Sequence, residues 1–157
     1  MGTIAEEDFA ANLFTRLREA FEGPPPQTAS AYLDQGAGLL QTVEKISAEE
    51  ASRAAREGGP TIAAHCAHAK FYVNVLRKYV QGSSESVDWG QSWLVQTVSP
   101  AEWEALKEEL RDAYGVVTEE LRSLDGWGER SVGGAMAIVA HTAYHLGAVR
   151  QLARMLK

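Results

Sequence analysis

The chain has 157 residues, a formal net charge of −6 and a sequence pI near 5.2. Apolar residues make up 45% and charged residues 23%, a globular rather than disordered balance, and the length suits one domain with its own core. The acidic excess argues against general nucleic-acid binding, which needs a basic face for the phosphates. The single cysteine, Cys66, excludes a disulfide framework and suits a reducing cytoplasm. The first residues have neither the basic flank nor the apolar stretch of a signal peptide, and no apolar run is expected to span a membrane. A soluble cytoplasmic protein is the expectation.

Strand signals are scarce and helix signals abundant. Thr3-Ile4-Ala5-Glu6 reads as a capping box and predicts a first helix from Ile4 to Phe21. Phe9, Leu13, Leu17 and Phe21 give it one apolar face, and Gly23-Pro24-Pro25-Pro26 ends it. A second helix is expected from about Ala29, carrying Leu33, Ala37, Leu40 and Val43. Ser47 to Gly59 reads as a weak helical connector. A third helix starts at Gly59-Pro60-Thr61 and runs to about Val80, before the loop Gly82 to Ser86. Asp88 to Val98, with two tryptophans, fits no single pattern. Ser99, Pro100 and Glu102 form the best helix start in the chain, and that helix should reach about Leu124. The last helix is expected to be capped near Ser131 and to run almost to Lys157. The pattern predicts an all-α fold: a four-helix bundle with the Ile4–Phe21 helix packed on it as an addition.

All four histidines fall in two clusters, His65 and His68 on the third helix and His141 and His145 on the last. Spacings of three and four put each pair on one side of its helix. Lys70, Asn74, Arg77, Lys78 and Gln81 mark the solvent face of the third helix, opposite His65, with His68 at the margin. On the last helix, Gly134, Ile138, His141, His145, Ala148, Leu152 and Met155 share a face from which Arg150 and Arg154 point away. Both pairs should therefore point inward and could offer three or four imidazoles to one transition metal such as Zn, Ni, Cu or Fe. Three ligands would leave a position for water or substrate. The alternative is a set of hydrogen-bonded core histidines. Spacing places His65 more centrally than His68. There is no His-Glu-x-x-His and no Glu-x-x-His, so neither a zincin nor a di-iron ferritin-like site is supported. Cys66 reads as a small core residue, Trp89, Trp93 and Trp103 as core or lid packing with a pocket lining as the alternative, and Tyr72 as core packing with the orienting of a bound water as the alternative.

The segments Thr61-Ile62-Ala63-Ala64-His65-Cys66-Ala67-His68 and His141-Thr142-Ala143-Tyr144-His145-Leu146-Gly147 resemble the two signatures of the DinB / YfiT-like superfamily of metalloenzymes. In that family a Ser or Thr helix start precedes a ligand histidine by seven residues. The last helix carries His-x-x-x-His, commonly followed by Arg-Gly-Gln. The resemblance implies a four-helix bundle with a three-histidine site for a divalent transition metal, usually Zn or Ni. Its register makes His68 the ligand that joins His141 and His145, leaving His65 as a pocket or catalytic residue or a substitute ligand. Leu146 and Ala148 depart from the family pattern, where arginine and glutamine are common.

Two functions follow as expectations. The resemblance implies a metal-dependent transferase that joins a low-molecular-weight thiol, of the mycothiol or bacillithiol type, to a small electrophile. In that picture His65 assists proton transfer. The other is a non-catalytic metal-binding or stress-associated bundle, which a closed four-histidine sphere would favour. The resemblance also implies a homodimer. The partners expected are thus a small-molecule substrate and a second copy, with no nucleic acid and no membrane.

Overall fold

Among residues 2–156, which the computed structural model describes, every element is helical and no strand forms. The order is α1 (Glu6–Glu22), α2 (Leu39–Val43), α3 (Ala48–Ala51), α4 (Ile62–Val80), a 3-10 turn (Trp89–Trp93), α5 (Pro100–Arg122) and α6 (Glu129–Met155). Helix α4 packs against α6 and α5, and α1 packs against α6 and α2. The core between them holds Leu17, Phe21, Ile62, Trp103, Leu110, Ile138 and Leu146, all essentially removed from solvent. Trp103 is buried with its polar end satisfied, since its ring N–H donates to the Ile46 carbonyl at 2.7 Å.

The expected starts of α4 and α5 form. Thr61 caps α4, and Ser99 and Glu102 form a reciprocal capping box on α5 with Pro100 in the first turn. Three boundaries differ from expectation. The Thr3…Glu6 box does not form: α1 begins at Glu6 after Ala5, with no side-chain cap. Its acidic first turn, Glu6, Glu7 and Asp8, still complements the positive end of the helix dipole. Ser131 is not the cap of α6 but its third residue. The cap is Gly128, whose N–H donates to the Ser131 hydroxyl at 2.9 Å.

The largest difference is the second helix, which is reduced to Leu39–Val43. The buried Glu19 carboxylate on α1 explains it. It accepts from the backbone N–H groups of Ala31, Tyr32 and Leu33 at 2.8–3.1 Å and from the Ser30 hydroxyl at 2.9 Å. A helix needs those N–H groups for its own carbonyls, so the segment is held open instead. With this segment non-helical, α1 is one of the four long helices of the bundle, beside α4, α5 and α6.

Helix α6 departs from expectation in another way. It is the one described helix long and apolar enough to cross a membrane, and only 33% of its most apolar stretch is buried within the molecule. Its buried face is centred on Ala135, Ile138, Thr142, His145, Leu146 and Val149, whereas Met155, expected inside, is exposed.

Candidate metal centre

Thr61 fixes the first turn of α4 in two directions. Its hydroxyl oxygen accepts from the Ala64 N–H at 3.1 Å, and its O–H donates to the Gln96 carbonyl at 2.7 Å. The turns that follow are rich in small buried residues, Ala63, Ala64, Ala67 and Ala69, so α6 comes close. Gly134 does the same near the other end of the pair. A Cβ there would lie 2.5 Å from the Val80 side chain.

In this tight pair, His65 meets His145 and His68 meets His141. Rising numbers on α4 against falling numbers on α6 make the helices antiparallel. The Nε2 atoms of His68 and His141 are 3.1 Å apart, and those of His141 and His145 are 3.2 Å apart. One nitrogen from each of the three lies within 4.8 Å of the others. Two imidazole nitrogens bound at about 2.0–2.1 Å to one ion, at an angle near 100°, sit roughly 3.1–3.2 Å apart. The spacing fits a shared ion.

The far sides of two rings are anchored. Ser92 lies in the 3-10 turn, and its O–H donates to the Trp89 carbonyl at 2.6 Å. Its hydroxyl oxygen must therefore accept from His68 Nδ1–H, at 2.8 Å, which leaves a lone pair on His68 Nε2. Nδ1 of His145 lies 2.9 Å from Nδ1 of His65. With the shared proton on His145, its Nε2 also presents a lone pair. Nδ1 of His141 is buried with no hydrogen-bond partner. That ring is held by stacking on Tyr72. Trp93 stacks on His68, with centroids 4.1 Å apart, and meets His65 edge-on at 5.5 Å.

Burial keeps all four rings neutral at physiological pH. It pushes His145 down to about 3 and His141 to about 4, with neighbouring histidines adding to both, and it also lowers His65 and His68. Neutral imidazole is the ligand form, so the cluster could hold a metal ion without first losing protons.

The model of the DinB superfamily matches residues 31–149, about three quarters of the chain. This chain belongs to the DinB superfamily. No curated protein and no solved structure matches it.

In this DinB-superfamily chain the structure gathers His68, His141 and His145 into one group, and sets His65 behind His145. Spacing alone favoured His65 over His68, because it measured how central each residue is on the helix face. The projection of the side chain across to α6 decides which ring joins the cluster. Leu146, at the common arginine position, is buried in the core beside the site. Cys66 is fully buried, and burial pushes its thiol up to about 12, so it behaves as a core residue. Trp103 is core, Trp93 is partly exposed beside the histidines, and Trp89 is partly exposed against Tyr72. Sequence reasoning did not find Ser92. It sits between the two tryptophans of a 3-10 turn, where no period marks a face.

Proposed function

We propose that this chain is a metal-dependent enzyme that joins a low-molecular-weight thiol to a small electrophile. His68, His141 and His145 hold a divalent ion, Zn or Ni, through Nε2. The observation that carries this reading is the convergence of three neutral Nε2 atoms with two rings pinned from behind by Ser92 and His65. His65 reaches Nδ1 of His145 instead of a fourth ligand position, which supports an open site over a closed structural one. The choice of a thiol rests on the family resemblance.

When bound, the ion supplies positive charge that lowers the pKa of a thiol brought to it. The protein's own groups do the rest. Ser92 and His65 fix the ligand rings, and Trp93 and Tyr72 shield them from water. An open cavity of about 490 Å³, lined by Gly58, Gly59, Pro60, Trp93 and Gln96, ends on the tryptophan that stacks over His68 and gives the substrate its approach. His65, whose Nδ1 accepts from His145, carries its own proton at Nε2 and hydrogen-bonds the leaving group there as sulfur bonds the electrophile, while the thiol proton passes to solvent.

The enzyme works in the reducing cytoplasm without nucleic acid or membrane, a reading supported by its acidic balance and lone buried cysteine. The test is loss of free thiol when Zn- or Ni-loaded protein is mixed with bacillithiol or mycothiol and a haloalkane or epoxide. Turnover that disappears in His141→Ala and falls at least tenfold in His65→Ala supports the proposal. Full metal loading with no turnover for either thiol leaves the non-catalytic binding protein as the function.

A further inference from the structure

The last turns of α6 meet α2, the turn after it and the first residue of α4 around a cavity of about 200 Å³. Three cations line this cavity: Lys45, Arg150 and Arg154. None of them makes an ion pair with any described residue. Carboxylates are not scarce, since the chain has 21 acidic residues against 15 lysines and arginines. Arg16, Lys70, Arg77, Lys78, Lys107 and Arg111 each pair with one.

The positions of the three cations come from two parts of the chain. Gly36 has a φ of +74°, and a Cβ built on it would lie 3.8 Å from Lys45 Nζ. Gly36 lines the cavity, so the Lys45 ammonium sits at its wall. Arg150 and Arg154 are one turn apart on α6, where like charges repel. The helix dipole accounts for Arg154, in the last turn, but its effect falls off before the half-buried Arg150. Arg53 adds another positive charge beside the cavity, donating to the carbonyl of Leu156, which lines it. The acidic residue on the wall is Glu50. Its Oε2 accepts from the Ser47 N–H at 2.9 Å and the Ser47 hydroxyl at 3.0 Å, an α3 cap. Positive charge therefore exceeds negative in the cavity of an acidic protein, an arrangement that a bound anion stabilises.

The lining selects the kind of anion. A monocarboxylate offers one charge and two oxygens in a plane, which a single guanidinium fork satisfies. A phosphate monoester carries close to two charges on three oxygens, and so can meet Lys45, Arg150 and Arg154 together. The space also exceeds a phosphate group, since at ~30 Å³ each it would hold roughly six waters. Ile46, Ile62 and Leu156 make the remaining wall apolar, which suits a small hydrocarbon group on the ester.

We propose that this cavity binds a small organic phosphate monoester, its phosphate held by Lys45, Arg150 and Arg154 and its organic group against Ile46, Ile62 and Leu156. None of the four histidines lines the cavity, so the site is independent of the metal reading.

The test is isothermal titration calorimetry of the full chain with phenyl phosphate, at low salt in a buffer free of phosphate and sulfate. Phenyl phosphate should bind at one site with a Kd below about 1 mM. Benzoate should bind at least about tenfold more weakly, because it leaves charge-assisted hydrogen bonds unmade. Arg150→Gln and Lys45→Gln should each weaken phenyl phosphate by about tenfold or more, the weight of one such bond. Arg130→Gln removes the same charge from the other end of α6, outside the cavity, and should leave the affinity unchanged. Metal-free and Zn-loaded protein should bind equally. Circular dichroism checks the helix content of each variant, and Lys45 and Arg150 lie on separate segments, so either variant decides if the other fails to fold. No saturable heat up to about 10 mM would overturn the proposal. So would affinity that survives both Arg150→Gln and Lys45→Gln, an equal loss in Arg130→Gln, or binding that requires Zn and so belongs to the histidine cluster. Benzoate binding as tightly as phenyl phosphate would also overturn it, giving the cavity to a carboxylate.

Discussion

The Tyr72 ring lies flat on the His141 imidazole, centroids 3.4 Å apart and planes 7° from parallel. His141 is the one member of the cluster with a buried Nδ1 and no hydrogen bond to orient it. Stacking therefore does for this ring what Ser92 does for His68 and His65 does for His145. Tyr72→Ala should lower metal affinity by roughly 10–100-fold, as loss of an orienting partner does. Tyr72→Phe, which keeps the ring and loses the hydroxyl, should stay within about threefold of wild type by the same reasoning. Competition with a chromophoric chelator measures both. Equal losses would mean that the hydroxyl, and not the stack, matters.

Glu19 is the other buried group on which much depends. Burial raises its pKa, but the N–H groups of Tyr32 and Leu33, the Ser30 hydroxyl and the Ala31 N–H outweigh this and hold the carboxyl below its usual range. Glu19→Ala strands three backbone donors. The loss should be about 3 kcal/mol, which lowers the Tm by roughly 6–12 °C in a chain of this size. Differential scanning calorimetry at pH 7 reads it directly. An unchanged Tm would show that the 29–33 segment finds other acceptors at no cost.

These two residues mark where the sequence was legible. The bundle could be read because Phe9, Leu13 and Leu17, or Ser99 and Glu102, act on neighbours three and four residues away, the range that helical periodicity reports. The histidine cluster was legible for the same reason, since each pair lies one turn apart on its helix. Glu19 acts on residues 12–14 positions later, and no local rule shows that its carboxylate takes the N–H groups a second helix would need. Ser92 reaches His68 across 24 residues from a 3-10 turn with no amphipathic face. The choice between His65 and His68 depends on how α4 meets α6, a property of the pair and not of either helix.

The depressed histidine pKa values make the metal-free protein acid-sensitive in a defined window. Unfolded histidines take up protons near pH 6.5, whereas in the fold His141 waits until about 4 and His145 until about 3. Between these limits the unfolded state binds more protons, so stability is fully present above pH 6.5 and is lost as the pH falls toward 4 for His141 and 3 for His145. The Tm of metal-free protein should drop steadily from pH 7 to pH 5, before most carboxylates titrate. A variant with His141→Phe and His145→Phe should show a flatter profile. Parallel profiles would assign the acid sensitivity elsewhere.

The most direct test of the metal centre is metal content by mass spectrometry in four single variants, purified without a histidine tag and equilibrated with equimolar Zn or Ni. His141→Ala, His145→Ala and His68→Ala should each lose the metal, because each removes one of three ligands. His65→Ala should retain it at reduced affinity, because it removes only the partner of His145 Nδ1. Loss in His65→Ala with retention in His68→Ala would reverse the ligand assignment, and retention in all four would contradict a metal centre at these histidines.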